Sequence, residues 1–126
     1  MYSSKFQAIL LFLMIFIIKS ASAQAKDGDA ILGRFQNPDK DAKIIIYKEN
    51  NLYFGKVIES SGKIPVGTIL LKSLSFAVGK WTGKVFVYQR NHEYDCSAVL
   101  PSASIMKLTV KVGIFRKDLE FTRLNN

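Results

Sequence analysis

The chain holds one histidine and one cysteine, so its reactive side chains can be weighed one at a time. His92 stands in a predicted turn between Asn91 and Glu93. A Ser–His–Asp arrangement needs its base within reach of a nucleophile and oriented by a third group. Asp95 and Ser97 are near in sequence, but strand alternation puts them on the outward face with Glu93. No catalytic residue is therefore assigned, and the protein is expected to be non-enzymatic. Asp27, Asp29, Asp39 and Asp41 cluster around the first strand, without the spacing of a calcium loop and with Pro38 and Lys40 between them. They read as solvated turn carboxylates, and neither a metal nor a cofactor is expected. Cys96 alternates with Tyr94, Ala98 and Leu100, which predicts a buried thiol behaving as a small hydrophobe. In an oxidising compartment the alternative for an odd cysteine is a bridge to a second chain.

The remaining residues of interest are aromatic. Beyond residue 23 the rings include Phe35, Tyr53, Phe76, Trp81, Tyr94 and Phe121. Their placement depends on the elements that carry them. Met1 to Lys5 is polar and basic, Ala8 to Ile18 is unbroken apolar sequence, and Ala21-Ser22-Ala23 offers small residues at a cleavage point. That order describes a secretory signal peptide over residues 1–23. As a helix the apolar run would rise about 16 Å, roughly half the hydrocarbon core of a bilayer, so a stable membrane span is not expected. The expected location is exported, periplasmic or extracellular. Cleavage after Ala23 leaves residues 24–126 as one domain and removes Lys5 and Lys19, taking the formal charge from +8 to +6.

This domain reads as strands. No segment keeps apolar residues at helical spacing for three turns, whereas short β-branched and aromatic runs recur between turn residues. The predicted strands are Ala30 to Gln36, Ala42 to Lys48, Leu52 to Glu59, Thr68 to Phe76, Trp81 to Gln89, Glu93 to Leu100, Ser104 to Val112 and Asp118 to Leu124. Asn50-Asn51 marks a tight hairpin turn, because Asn tolerates positive φ. In the seventh strand Met106, Leu108, Val110 and Val112 share one face, and Ile105, Lys107, Thr109 and Lys111 the other. Eight short antiparallel strands form a meander barrel or a sandwich, and a five-stranded oligonucleotide-binding barrel is a further alternative. A closed up-and-down barrel is the preferred expectation, since closure removes exposed strand edges.

Several short stretches resemble one family in order and spacing. They are Asp29-Ala30-Ile31-Leu32-Gly33-Arg34-Phe35, Asn37-Pro38, Ile44 to Lys48, Tyr53-Phe54-Gly55-Lys56-Val57, Ile69 to Leu74, Lys80-Trp81-Thr82-Gly83-Lys84, Tyr94-Asp95-Cys96 and Phe121-Thr122-Arg123. Together they look like the small secreted bacterial proteins called domain of unknown function 2147. The resemblance implies an exported, lipocalin-like eight-stranded antiparallel barrel, and the family carries no established biochemical activity. The family usually has Trp where Phe35 stands, a longer insert where Ser60 to Gly67 stands, and Asp-Pro and Asn-Gly near Gln89 to Glu93. A site lined by those loops in relatives would be reduced or altered here. The Gly33-x-Phe35 start and the Arg123 finish are similar to the lipocalin arrangement, which implies that Arg123 caps Phe35 where first and last strands meet.

The basic balance does not itself select nucleic acid, because the lysines spread through almost every turn and strand instead of one ring-bearing face. The expected partner is a small apolar or amphipathic molecule inside the barrel, with Tyr53, Trp81 and Tyr94 at the mouth. The alternative is an envelope interaction or structural module with a filled core and a basic exterior. An eight-stranded barrel suits either, being just wide enough for side chains or one small ligand. No oligomeric state follows from the sequence.

Overall fold

The structure is a computed structural model that describes residues 27–125. The expected signal peptide lies outside these residues. Among the described residues eight strands follow one another: β1 (Gly33–Gln36), β2 (Ala42–Glu49), β3 (Leu52–Ser60), β4 (Ile69–Ala77), β5 (Lys80–Val87), β6 (His92–Ser102), β7 (Ile105–Val112) and β8 (Phe115–Arg123). Each pairs antiparallel with the next, and β1 pairs with β8, so the meander closes into an up-and-down barrel. No helix among the described residues is long and apolar enough to cross a membrane.

The alternating pattern expected for β7 is present: Met106, Leu108 and Val110 are buried while the intervening residues are not. Those side chains join Phe35, Ile44, Ile46, Leu71, Trp81 and Phe121 in one continuous interior. Four elements depart from the sequence reading. Ala30 to Leu32 do not extend the first strand; Gly28–Ile31 forms a 3-10 turn, started by Asp27, whose carboxylate accepts from the Asp29 N–H at 2.9 Å. Tyr88–Arg90 is likewise a 3-10 turn after β5. Pro101 does not stop β6, because the register shifts between Val99 and Ser102 and leaves the proline without a ladder hydrogen bond to make. Finally, β8 begins at Phe115 and not at Asp118, through close pairing with β7.

Strand β4 breaks simple alternation, since Leu70, Leu71 and Leu74 are all buried. Its register against β5 shifts between Lys72 and Ser75, and Ser73 takes a left-handed φ of 53°. Such a bulge resets the phase, so Leu71 and Leu74 both reach the interior although three positions apart. The bulge lies against Gly83 on β5, where a Cβ would stand 2.6 Å from the Lys72 carbonyl oxygen. Glycine is what lets the two backbones approach there.

Candidate functional site

An up-and-down barrel has two ends, and here they differ. One carries the β2–β3, β4–β5 and β6–β7 turns together with the 3-10 turn at Gly28–Ile31. Ile31 is fully buried, so the turn acts as a plug. Long-range hydrogen bonds fasten it. The Trp81 indole donates to the Gly28 carbonyl at 3.1 Å. The Tyr53 hydroxyl donates to Asp29 at 2.6 Å, and Lys48 donates to the same carboxylate oxygen at 3.0 Å. The Tyr53 hydrogen bond, then that from Lys48, holds the Asp29 carboxyl below its usual value, while burial and the Asp29 bond raise the Tyr53 hydroxyl.

Arg123 completes the seal. Its Nη1 and Nη2 donate to the carbonyls of Leu32 and Ala30, and its Nε to that of Ala103, each at 2.7 Å. The guanidinium also lies over the Phe35 ring, 4.7 Å from its centroid. Gly33 has φ +136°, and a Cβ there would sit 2.7 Å from Arg123 Nη1. Gly33, Phe35 and Arg123 therefore meet at one point.

The opposite end carries the β1–β2, β3–β4, β5–β6 and β7–β8 turns. It contains a partly open cavity of about 170 Å³. Leu70, Val85, Leu108, Val110, Leu119 and Phe121 supply much of its apolar wall, and Asn37, Asp39, Gln89 and Lys117 lie at its polar margin. The cavity reaches the split between the β1–β2 turn and β8, because β1 pairs with β8 only at Phe35–Arg123 and Gln36–Thr122.

Two of the residues expected at the mouth stand elsewhere. Trp81 and Tyr53 are buried beneath the plug at the sealed end, where their polar atoms face its backbone and Asp29. Tyr94 lies opposite Val85 toward the open end, half-buried and edge-on to His92 at 4.7 Å, but it does not line this cavity. The phase of β7 already pointed Leu108 and Val110 inward. What the sequence reading missed was which end is open, together with Ile64, Leu70, Val85, Leu119 and Tyr88 as lining residues.

The other reactive residues are engaged locally. Asp95 pairs with Lys84 on the outer surface. Asn37 donates to Asp41 at 2.6 Å within the β1–β2 turn. Among the described residues no three His, Cys, Asp or Glu side chains converge as metal ligands would. Cys96 is 1% exposed, and burial foremost, with Asp95 next, pushes its thiol up to about 12. A thiol so raised is protonated and unreactive at neutral pH.

Comparison of the chain with protein-family models, with curated proteins and with solved structures gives no match.

Proposed function

We propose that this protein is an exported, non-enzymatic barrel that takes one small apolar or amphipathic molecule into its open end. The observation that carries the reading is the apolar cavity of about 170 Å³ beside the β1–β8 split. No polar or charged residue among those described is buried, so a molecule entering the barrel meets hydrocarbon. Its polar portion would stay at the margin with Asn37, Asp39, Gln89 and Lys117. Size limits the class further. An apolar cavity of about 150 Å³ accommodates benzene, whereas drug-sized ligands occupy roughly 300–1,000 Å³. The buried portion is thus a single ring or a short acyl segment. Export rests on the amino-terminal sequence pattern, as does the likeness to domain of unknown function 2147 on its short motifs.

The test is extraction of the purified protein with organic solvent, followed by mass spectrometry. Titration with the dye 1-anilinonaphthalene-8-sulfonate and competition by octanoate accompany it. Saturable dye binding displaced by octanoate, weakened about tenfold or more by the cavity-filling variant Leu119→Trp, supports the reading. A protein that yields no extractable molecule and binds neither the dye nor, by calorimetry, octanoate, or a folded Leu119→Trp variant that binds as the parent does, overturns it.

A further inference from the structure

The turn joining β7 to β8 is the most apolar exposed tip of the barrel. Ile114 is 92% exposed and Phe115 73% exposed. Two large apolar side chains side by side at one tip form a contiguous apolar patch, the kind of surface that meets a partner, whereas a singly exposed residue such as Val78, 87% exposed, needs none. The sequence Lys111-Val112-Gly113-Ile114-Phe115-Arg116-Lys117 contains three cations and no acid. Lys111 and Arg116 face each other directly across the hairpin. Like charges so paired repel, and an external anionic surface relieves that repulsion. The nearest acid along β8, Asp118, is already bonded by Thr109 and Lys107.

Two other turns at this end repeat the pattern more weakly. The β3–β4 loop exposes Val66 near Lys63, and the β5–β6 turn exposes Tyr88 near Arg90. Asp39 and Asp41 lie in the β1–β2 turn with Glu59 beside it, and Glu93 and Asp95 stand on β6. Asp41 is held by Asn37, and Lys43, Lys72 and Lys84 pair with Glu59, Glu93 and Asp95. Among the described residues at the sealed end, the corresponding exposed apolar residue is Val78, in the β4–β5 turn.

We propose that the open end docks on an anionic lipid bilayer, with Ile114 and Phe115 inserted at the interface and Lys111, Arg116 and Lys117 against the lipid phosphates. Apolar insertion combined with cations at headgroup level is the chemistry of interfacial binding. A second copy of the chain fits less well: a twofold contact through the hairpin would set these cations against their own copies. Because Lys117 also borders the cavity, the docked orientation turns the split between β1 and β8 toward the membrane. The docking stands independently of whether the cavity holds a ligand.

The experiment is co-sedimentation of the full chain with phosphatidylcholine vesicles, with and without phosphatidylglycerol. The amino terminus is read by mass spectrometry and is the same in every variant. Binding is expected only to phosphatidylglycerol vesicles and is expected to weaken with salt. The double variant Ile114→Ser/Phe115→Ser and the double variant Arg116→Glu/Lys117→Glu should each bind about tenfold or more weakly, with circular dichroism unchanged. Val78→Ser, at the other end, should bind as the parent does. Absence of parent binding, retention of binding in the folded hairpin variants, or equal loss in Val78→Ser overturns the proposal. So does a concentration-dependent dimer that the hairpin variants abolish without vesicles.

Discussion

The guanidinium of Arg123 lies over the ring of Phe35, and the two residues face each other across the seam between β8 and β1. That seam is short, with only two residue pairs, so closure depends on side chains as well as on backbone. Arg123 alone reaches Ala30, Leu32 and Ala103, joining the plug, the last strand and the β6–β7 turn. A rigid planar fork can satisfy those carbonyls together while stacking on a ring, which a lysine cannot.

Removing either member should loosen the barrel. Phe35→Ala is expected to cost about 3–5 kcal/mol, as large-to-small changes in packed interiors do. Arg123→Ala should cost about 2–3 kcal/mol, since it leaves carbonyls without their charged donor. Arg123→Lys should fall between Arg123→Ala and the parent. Urea unfolding checks all three; parent-like midpoints for both alanine variants would refute the role of the pair.

Gly33→Ala should destabilise by about 1–3 kcal/mol, the range for a side chain forced into a disfavoured backbone conformation. Two causes act together: a φ of +136° and a Cβ position 2.7 Å from Arg123 Nη1. Gly67→Ala shares the first cause at φ +96° but meets nothing within 4 Å, so it should cost less. Thermal melting of both variants measures the difference.

Cys96 should resist a thiol reagent such as Ellman's reagent in the folded protein and react fully in denaturant. Burial disfavours its thiolate, and the folded value is raised from 9.0 to about 12. The unfolded chain therefore loses its proton first as pH rises. The stability contributed by the neutral thiol is complete below about pH 9 and declines above it. Rapid labelling of native protein at pH 8 would contradict the burial.

Acid should act in the opposite direction. Asp29, Glu93, Asp95 and Asp118 are each lowered, by Tyr53, Lys72, Lys84 and Thr109 respectively as first cause. In every case the unfolded chain binds its proton before the folded one does. Stability is thus complete above the ordinary carboxylate range and falls as pH drops through and below about 4. Asp29→Asn should melt lower than the parent at pH 7 and show a shallower acid decline. Identical pH profiles would remove Asp29 from the fastening of the plug.

Some of this was legible locally. The alternation of Met106, Leu108 and Val110 specifies one face of a strand whatever lies next to it, and Cys96 follows from the same rule. The bulge at Ser73 escaped that rule, because a left-handed residue shifts the phase and its need is set by β5, where Gly83 admits the approach. The expectation of Trp81 and Tyr53 at a mouth rests on the lipocalin-like resemblance and not on the chemistry of their rings, which also carry polar atoms. Such rings suit a plug equally, and only the fold shows which end they occupy.

The residues themselves determined an all-β chain: strand period, turn chemistry and the inward side chains are consequences of two or three neighbours at a time. They also carried the pattern at residues 1–23 that reads as an export signal. Tertiary structure alone decided which end of the barrel is sealed. That choice rests on Trp81 meeting Gly28 across 53 positions and Arg123 meeting Ala30 across 93. Periodicity is a local property, whereas sealing one end and leaving a cavity at the other requires groups brought together from both ends of the chain.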